Sequence, residues 1–182
     1  MDIREFLELH SSRLNADILA DKIEEDPAVY DRVWEVMKED EHPVSMRAAW
    51  SLTVFAKRHP CFIKPRANEI IRELQSIRSP SVRRCLMNLL THAELPDEQL
   101  GFLFDFCIEI LESPSAEIAH KAYAMTLLYN ISENEKDLKP ELVALFETQL
   151  DDESGAIIAR ARILLKKLYK DLSLPENDVI YF

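Results

Sequence analysis

Apolar residues recur along the chain at intervals of three and four residues, which is the spacing of one face of an α-helix. No convincing two-residue alternation of the kind found in β-strands is present in the sequence. Proline and short acidic or serine clusters interrupt the pattern about every 15 to 20 residues. The pattern therefore predicts an all-α chain of ten helices joined by short turns. These are expected over 2–10, 14–25, 27–39, 44–58, 65–78, 81–93, 97–112, 115–131, 140–150 and 155–170.

The predicted helices from residue 27 onward repeat in pairs. A proline opens the second helix of three pairs, at Pro43, Pro80 and Pro114. A connection between pairs also recurs, because Ile63-Lys64-Pro65 is answered 75 residues later by Leu138-Lys139-Pro140. Self-similarity at such a period is typical of solenoids built from helix pairs. A basic residue followed by a small one recurs in the second helices at intervals of 37, 37 and 39 residues: Arg47-Ala48, Arg84-Cys85, Lys121-Ala122 and Arg160-Ala161.

These features resemble the HEAT and armadillo-like repeat family, and in particular its small bacterial-type members. The resemblance covers roughly residues 27–170 and implies a right-handed α-solenoid of about four helix pairs in a single domain over 1–182. An N-terminal cap over 1–26 would precede the repeats, and a tail over 171–182 would follow them.

One departure from the family concerns the turn inside each pair, where an aspartate is common. The turns at Ser79-Pro80 and Ser113-Pro114 have no aspartate, whereas Asp40 and Asp151-Asp152 are found in the first and last pairs. The usual Asp-to-Arg ladder between neighbouring repeats is therefore not supported in the middle of the array.

The second helices are the expected binding surface, since they line the inner, concave side of the array in the resembled family. Their basic residues allow two roles: a track for an acidic or phosphorylated segment, or caps for the ends of adjacent helices. Trp50 favours binding, since Trp and Arg dominate hot spots, whereas a ladder locked to the repeat period favours the structural role. The candidate residues form one predicted ridge: Arg47, Trp50, Arg84, Met87, Lys121, Leu128, Arg160 and Lys167.

Composition argues against a catalytic site. Glycine occurs only twice, at Gly101 and Gly155, where about 7% is usual, so phosphate-binding loops and strained nucleophile turns are nearly excluded. The five histidines have no metal-ligand spacing, and the acidic clusters lack the pattern of a calcium loop. We therefore expect no enzyme activity, no metal and no cofactor.

Charge and cysteine content indicate the compartment. The 22 Lys and Arg against 33 Asp and Glu give a net charge of −11, which opposes non-specific binding to nucleic acid or anionic membranes. Three cysteines without a Cys-x-x-Cys pair are typical of a reducing cytoplasm. The first eight residues are too charged for a signal peptide, and the longest uncharged run, Ala122 to Ser132, is too short to span a membrane. A soluble, cytoplasmic protein is expected.

The C-terminal helix carries most of the remaining candidate chemistry. Its five cations would suit an acidic partner or nucleic acid. Alternatively, they would simply stabilise the C-terminal end of the helix and give a terminal repeat its polar outer face: Arg160, Arg162, Lys166, Lys167 and Lys170. The apolar end of the chain, Val179 to Phe182, would fold back on the last pair or bind a partner.

Three classes of function follow. The leading hypothesis is a non-enzymatic scaffold that binds a protein or peptide, with an acidic partner favoured by the basic ladder. The alternative is a nucleic-acid-binding protein similar to the HEAT-like DNA glycosylases, which are basic whereas this chain is acidic. A helical lyase of the fumarase type is the third class, but no Gly-Ser-Ser-x-Met-Pro-like loop is found and the chain is too short.

Overall fold

The computed structural model describes residues 2–9, 11–152 and 154–174, and these contain no β-strand. They form the α-helices α1 (Ile3–Leu9), α2 (Arg13–Glu25), α3 (Ala28–Lys38), α4 (Val44–Arg58), α5 (Pro60–Ile63), α6 (Ala67–Ser76), α7 (Pro80–Leu90), α8 (Leu100–Glu112), α9 (Ile118–Asn134), α10 (Lys139–Thr148) and α11 (Gly155–Asp171). Short 3-10 helices cover Lys64–Arg66, Asp97–Gln99, Lys136–Leu138 and Gln149–Asp151. The all-α prediction is confirmed, and each of the ten predicted helices has a counterpart. The four-residue α5 is not predicted by the pattern.

Contacts between Cα atoms divide the chain into two compact units, residues 1–94 and 95–182. The first unit contains α1 to α7, and the second contains α8 to α11. The division into a cap, repeats and a tail within one domain stays a prediction. Residues 175–182 of the predicted tail, including the apolar stretch from Val179, lie outside the described residues, as do His10 and Glu153.

In the first unit, both predicted helix pairs are formed, since α3 packs against α4 and α6 packs against α7. The two second helices, α4 and α7, also pack against each other, and α2 packs along α4. This central position buries most of α4. Ala48, Ala49 and Ala56 have no exposed surface, and their small side chains allow close helix approach. Leu52, which is also fully buried, fills the remaining volume between the helices.

The short helix α5 places a half-buried aromatic side chain against the aromatic residues of the first unit's core. Pro60 opens it at the first helical position, where its missing N–H costs nothing. The Phe62 ring then lies 5.0 Å from the ring of Tyr30 and 5.1 Å from that of Phe55, measured between centroids. The Arg66 guanidinium lies 4.4 Å from the Tyr30 centroid and 4.5 Å from the Phe62 centroid, so it covers both rings as a cation–π contact.

Asp40, in the turn between α3 and α4, links the first helix pair to the second. Its φ of 53° lies in the left-handed region, which aspartate tolerates better than most residues. Its carboxylate accepts hydrogen bonds from the backbone N–H groups of Arg78 at 2.9 Å and Ser79 at 3.2 Å, immediately before α7. A negative charge at this position also suits the N-terminal end of α7. The link therefore runs to backbone donors and not to an arginine side chain.

We expect replacement of Asp40 with alanine to lower the free energy of unfolding by about 1.5 kcal/mol, because two backbone donors lose a charged acceptor and alanine is strained at positive φ. Replacement with asparagine should cost about half as much, since asparagine keeps one acceptor oxygen and tolerates this backbone conformation. Urea unfolding followed by circular dichroism would measure both changes. An Asp40→Ala protein as stable as the wild type would contradict the proposed link.

The second unit repeats the same arrangement, with α8 against α9, α10 against α11, and α9 against α11. A buried lysine joins three helices at one end of the unit. The Lys139 ammonium lies 2.5 Å from Glu133 Oε1 and 2.7 Å from Asp171 Oδ2, while its side chain is only 9% exposed. Burial is the main reason that the pKa of Tyr129 is raised to about 12, so its hydroxyl stays protonated and donates to Asp171 at 3.3 Å.

Candidate binding surfaces of the second helices

Arg47, the first basic residue of the predicted ridge, is engaged with a neighbouring helix. Its side chain is half-buried, and Nη1 donates to the carbonyl oxygens of Leu7 at 2.7 Å and Glu8 at 3.1 Å. These carbonyls belong to the last turn of α1, whose C-terminal end attracts a cation. Arg47 therefore caps α1 and holds it against α4, which is one of the two roles that the sequence allows for this residue.

Trp50, one turn further along α4, is half-buried beside the same helices. It borders a small cavity of about 10 Å³ together with Leu7, Ser12, Asn15 and Arg47. The indole thus closes the space between α1, α2 and α4. Only part of its surface remains open to a partner.

The structure corrects the predicted ridge at Met87 and Leu128, which are both 0% exposed. A second helix packs against its pair partner and against the neighbouring second helix. Only a narrow stripe of its surface thus remains exposed to solvent. A position one step away from this stripe therefore lies in the core. Met87 and Leu128 are core residues and are not part of a binding surface.

The side chains of the other four ridge residues remain at least partly exposed to solvent. Arg84 on α7, Lys121 on α9 and Arg160 on α11 are half-buried, whereas Lys167 on α11 is exposed. Within the part of the chain that the structure describes, none of them forms an ion pair. The Lys167 ammonium lies 5.0 Å from the ring centroid of Tyr129, which fixes it against α9 as a cation–π contact.

Several basic residues elsewhere in the first unit are paired with carboxylates. Arg58 at the end of α4 is the clearest case, since its guanidinium lies 2.6 Å from Asp17, 2.6 Å from Asp21 and 3.3 Å from Glu24, all on α2. Arg4 is likewise paired with several acidic side chains. In a chain of net charge −11, carboxylates are abundant, so a basic side chain without one keeps its capacity for an external anion.

Lys166 and Lys170 lie on the exposed side of α11, although the repeat period does not select them. They lie three and seven residues beyond Ile163, itself 53% exposed, so all three share one helix face. In the sequence they are found among the five cations of the C-terminal helix, and not through the repeat period. The repeat period follows equivalent core positions, and it therefore does not report which face of a terminal helix remains open.

The cysteine thiols and the potential metal ligands are the remaining candidates for reactive chemistry. Burial raises the pKa of Cys85 to about 11 and that of Cys107 to about 12, so these thiols stay protonated, whereas Cys61 is exposed. Among the described residues, no group of three or more His, Cys, Asp or Glu side chains is placed to hold a metal ion. The same residues include no helix that is both long and apolar enough to cross a membrane.

Comparison with known proteins gives one match. A family model for the HEAT repeat domain matches residues 3–168, from α1 to the last turn of α11. The match thus includes the two N-terminal helices as well as the four pairs. No curated protein and no solved structure matches the chain.

Proposed function

This chain belongs to the HEAT repeat family, and from that premise we propose that it is a non-enzymatic scaffold that binds a protein or peptide segment through the open faces of its second helices. Helical repeats of this kind commonly present extended surfaces to their partners. The observation that carries the proposal is that four cations of the predicted ridge have no ion-pair partner among the described residues: Arg84, Lys121, Arg160 and Lys167.

These unpaired cations favour a partner with acidic side chains. A guanidinium or ammonium group without a carboxylate neighbour gains most from an external anion, and complementary charge also speeds association. Nucleic acid is a weaker candidate, because a duplex is bound mainly through its phosphates and the net charge of −11 repels them. No observation favours that alternative. We also propose a cytoplasmic location, where the thiols of Cys61, Cys85 and Cys107 would stay reduced.

Charge reversal on the second helices tests the proposal. We expect the double variant Arg84→Glu/Lys121→Glu to lose most partner capture. Its free energy of unfolding should change by less than about 1 kcal/mol, because neither side chain has an ion pair to lose in the described residues. The measurement is affinity capture from an extract of the source organism, quantified by mass spectrometry, with thermal melting of each variant.

The matched control is Arg72→Glu/Lys136→Glu, which makes the same charge change at exposed positions outside the second helices. This control should retain what the wild type captures. A strongly lowered melting temperature for Arg84→Glu/Lys121→Glu would instead assign these cations a structural role. If the wild type retained no protein above background, the scaffold proposal would be wrong.

A further inference from the structure

The exposed face of α11 changes from apolar to cationic along its length. Ala159 and Ile163 are exposed in its first half, and Lys166, Lys167 and Lys170 are exposed in its second half. At 100° per residue, these five positions fall within about a quarter to a third of the helix circumference. They form a continuous strip, which we call the α11 strip. The buried residues, among them the fully buried Leu165 and Leu168, lie on the opposite side.

Among the described residues, no ion pair balances the charge of the strip, although the ammonium of Lys139, and to a lesser extent that of Lys170, lowers the pKa of the neighbouring Asp171. Asp171 is the one acidic residue of α11, and its carboxylate is already paired with Lys139. None of the strip lysines has such a pair in the described part of the second unit. Arg160 and Arg162 border the strip on its two sides, and both are half-buried. The helix thus presents a positive surface on a chain whose net charge is −11.

Arg162, at the edge of the strip, adds a guanidinium whose hydrogen-bonding capacity is not fully used. Its Nε is buried and has no hydrogen-bond partner among the residues that the structure describes. A charged group that is partly removed from water without an acceptor costs free energy, which an incoming carboxylate beside the same guanidinium would offset. The apolar half of the strip adds a different requirement, because Ile163 is 53% exposed and its neighbour Ala159 allows close approach of another backbone.

We propose that the α11 strip binds an acidic segment of a partner protein, with carboxylates on Lys166, Lys167 and Lys170 and an aliphatic side chain on Ile163. This inference rests on the proposed scaffold function and specifies one surface and one class of partner for it. Charge complementarity selects an acidic occupant, and the exposed Ile163 selects a protein segment over a bare polyanion. A helical segment lying antiparallel to α11 satisfies both, since acidic residues favour a helix N-terminus and would there face the lysines.

Peptide binding tests this proposal directly. The probe is a fluorescein-labelled peptide of about 15 residues, with glutamates in its first turns and leucines at helical spacing in its second half. Anisotropy titrations with the full-length chain would be run at about 50 mM and about 300 mM NaCl. We expect saturable binding at low salt that weakens at high salt. In Lys166→Gln/Lys167→Gln/Lys170→Gln the affinity should fall about tenfold, and its salt dependence should decrease.

Two matched controls separate the strip from general charge and general hydrophobicity. The triple variant Lys57→Gln/Lys64→Gln/Lys136→Gln removes the same charge from exposed lysines elsewhere and should bind within about twofold of the wild type. Ile163→Ser should weaken binding about fivefold, whereas Ile118→Ser should not, although Ile118 is 52% exposed and Ile163 is 53% exposed.

Four results would overturn the assignment. The first two are no saturable binding by the wild type and an equal loss of affinity in the two triple lysine variants. The other two are equal affinity for a peptide in which glutamine replaces each glutamate, and equally tight binding of a short DNA duplex. The capture experiment separates this inference from the scaffold function. If the strip variant retained every partner of the wild type, the scaffold would stand and the α11 assignment would fail.

Discussion

Replacing Ala49 with arginine is expected to unfold the first unit of the protein. Ala49 is 0% exposed and lies in the middle of α4, which packs against α2, α3 and α7. An arginine at this position would place a charge and a long side chain where the helices approach closely. The cost should exceed about 4 kcal/mol, which is a large part of the stability of an ordinary domain. Circular dichroism and urea unfolding would measure it.

Ala144→Arg provides the matched control for this substitution. Ala144 also lies inside a helix, α10, but it is exposed, so an arginine there should change the free energy of unfolding by less than about 0.5 kcal/mol. An Ala49→Arg protein with the melting temperature of the wild type would contradict the buried position of α4. Loss of helical signal in both variants would instead indicate that any added arginine is harmful to this chain.

The helices could be predicted from the sequence because their signals are local. Apolar spacing predicts the four pairs, and the predicted bounds of α4, Val44–Arg58, are those of the structure. Pro43 and Pro80 lie at the starts of α4 and α7 as predicted. Pro114 does not open a helix, because α9 begins only at Ile118.

The sequence does not predict the four residues of α5, since one helical turn carries too little periodicity to be distinguished from a loop. Their effect is on packing, where Phe62 completes an aromatic cluster with Tyr30 and Phe55.

The candidate surface was less predictable because exposure depends on neighbours that are distant in sequence. Arg47 and Arg84 occupy equivalent positions one repeat apart, yet Arg47 caps α1 whereas Arg84 has no ion pair among the described residues. The difference arises because α1 lies beside α4. Similarly, Met87 and Leu128 follow the predicted period, but helices packed on both sides bury them completely.

The repeated motif between pairs shows the same dependence on context. Lys64 and Lys139 occupy the same place in the two motifs, each immediately before a proline. Lys64 is exposed, and its ammonium lies 3.4 Å from the carboxylate of Glu94. Lys139 is buried, because the ends of α9 and α11 enclose it with two carboxylates. A sequence motif therefore identified the equivalent positions without revealing that only one of them holds a buried ion pair.

The contrast between Lys139 and Lys64 allows the contribution of the buried ion pairs to stability to be tested, with Lys64 as an internal control. We expect Lys139→Met to lower the free energy of unfolding by about 2 to 3 kcal/mol, because Asp171 and Glu133 would lose their shared cation while methionine keeps the apolar stem. The value lies below that of a fully buried pair, since water still reaches Glu133, whose side chain is 51% exposed. The equivalent change Lys64→Met should cost less than about 0.5 kcal/mol. Equal losses in the two variants would show that the Lys139 contacts add nothing specific.

The pH dependence of stability provides an independent check on the Lys139 contacts. The Lys139 ammonium donates to Asp171 and holds the pKa of that carboxyl below its ordinary value. A carboxyl whose pKa is lowered on folding stabilises the protein above its unfolded pKa of about 4, and this contribution is lost as the pH falls through the lower folded value. The stability difference between the wild type and Lys139→Met should therefore be full at neutral pH and shrink below about pH 4. Urea midpoints measured from pH 7 downward would test this, and a difference independent of pH would rule out the ion pair as its source.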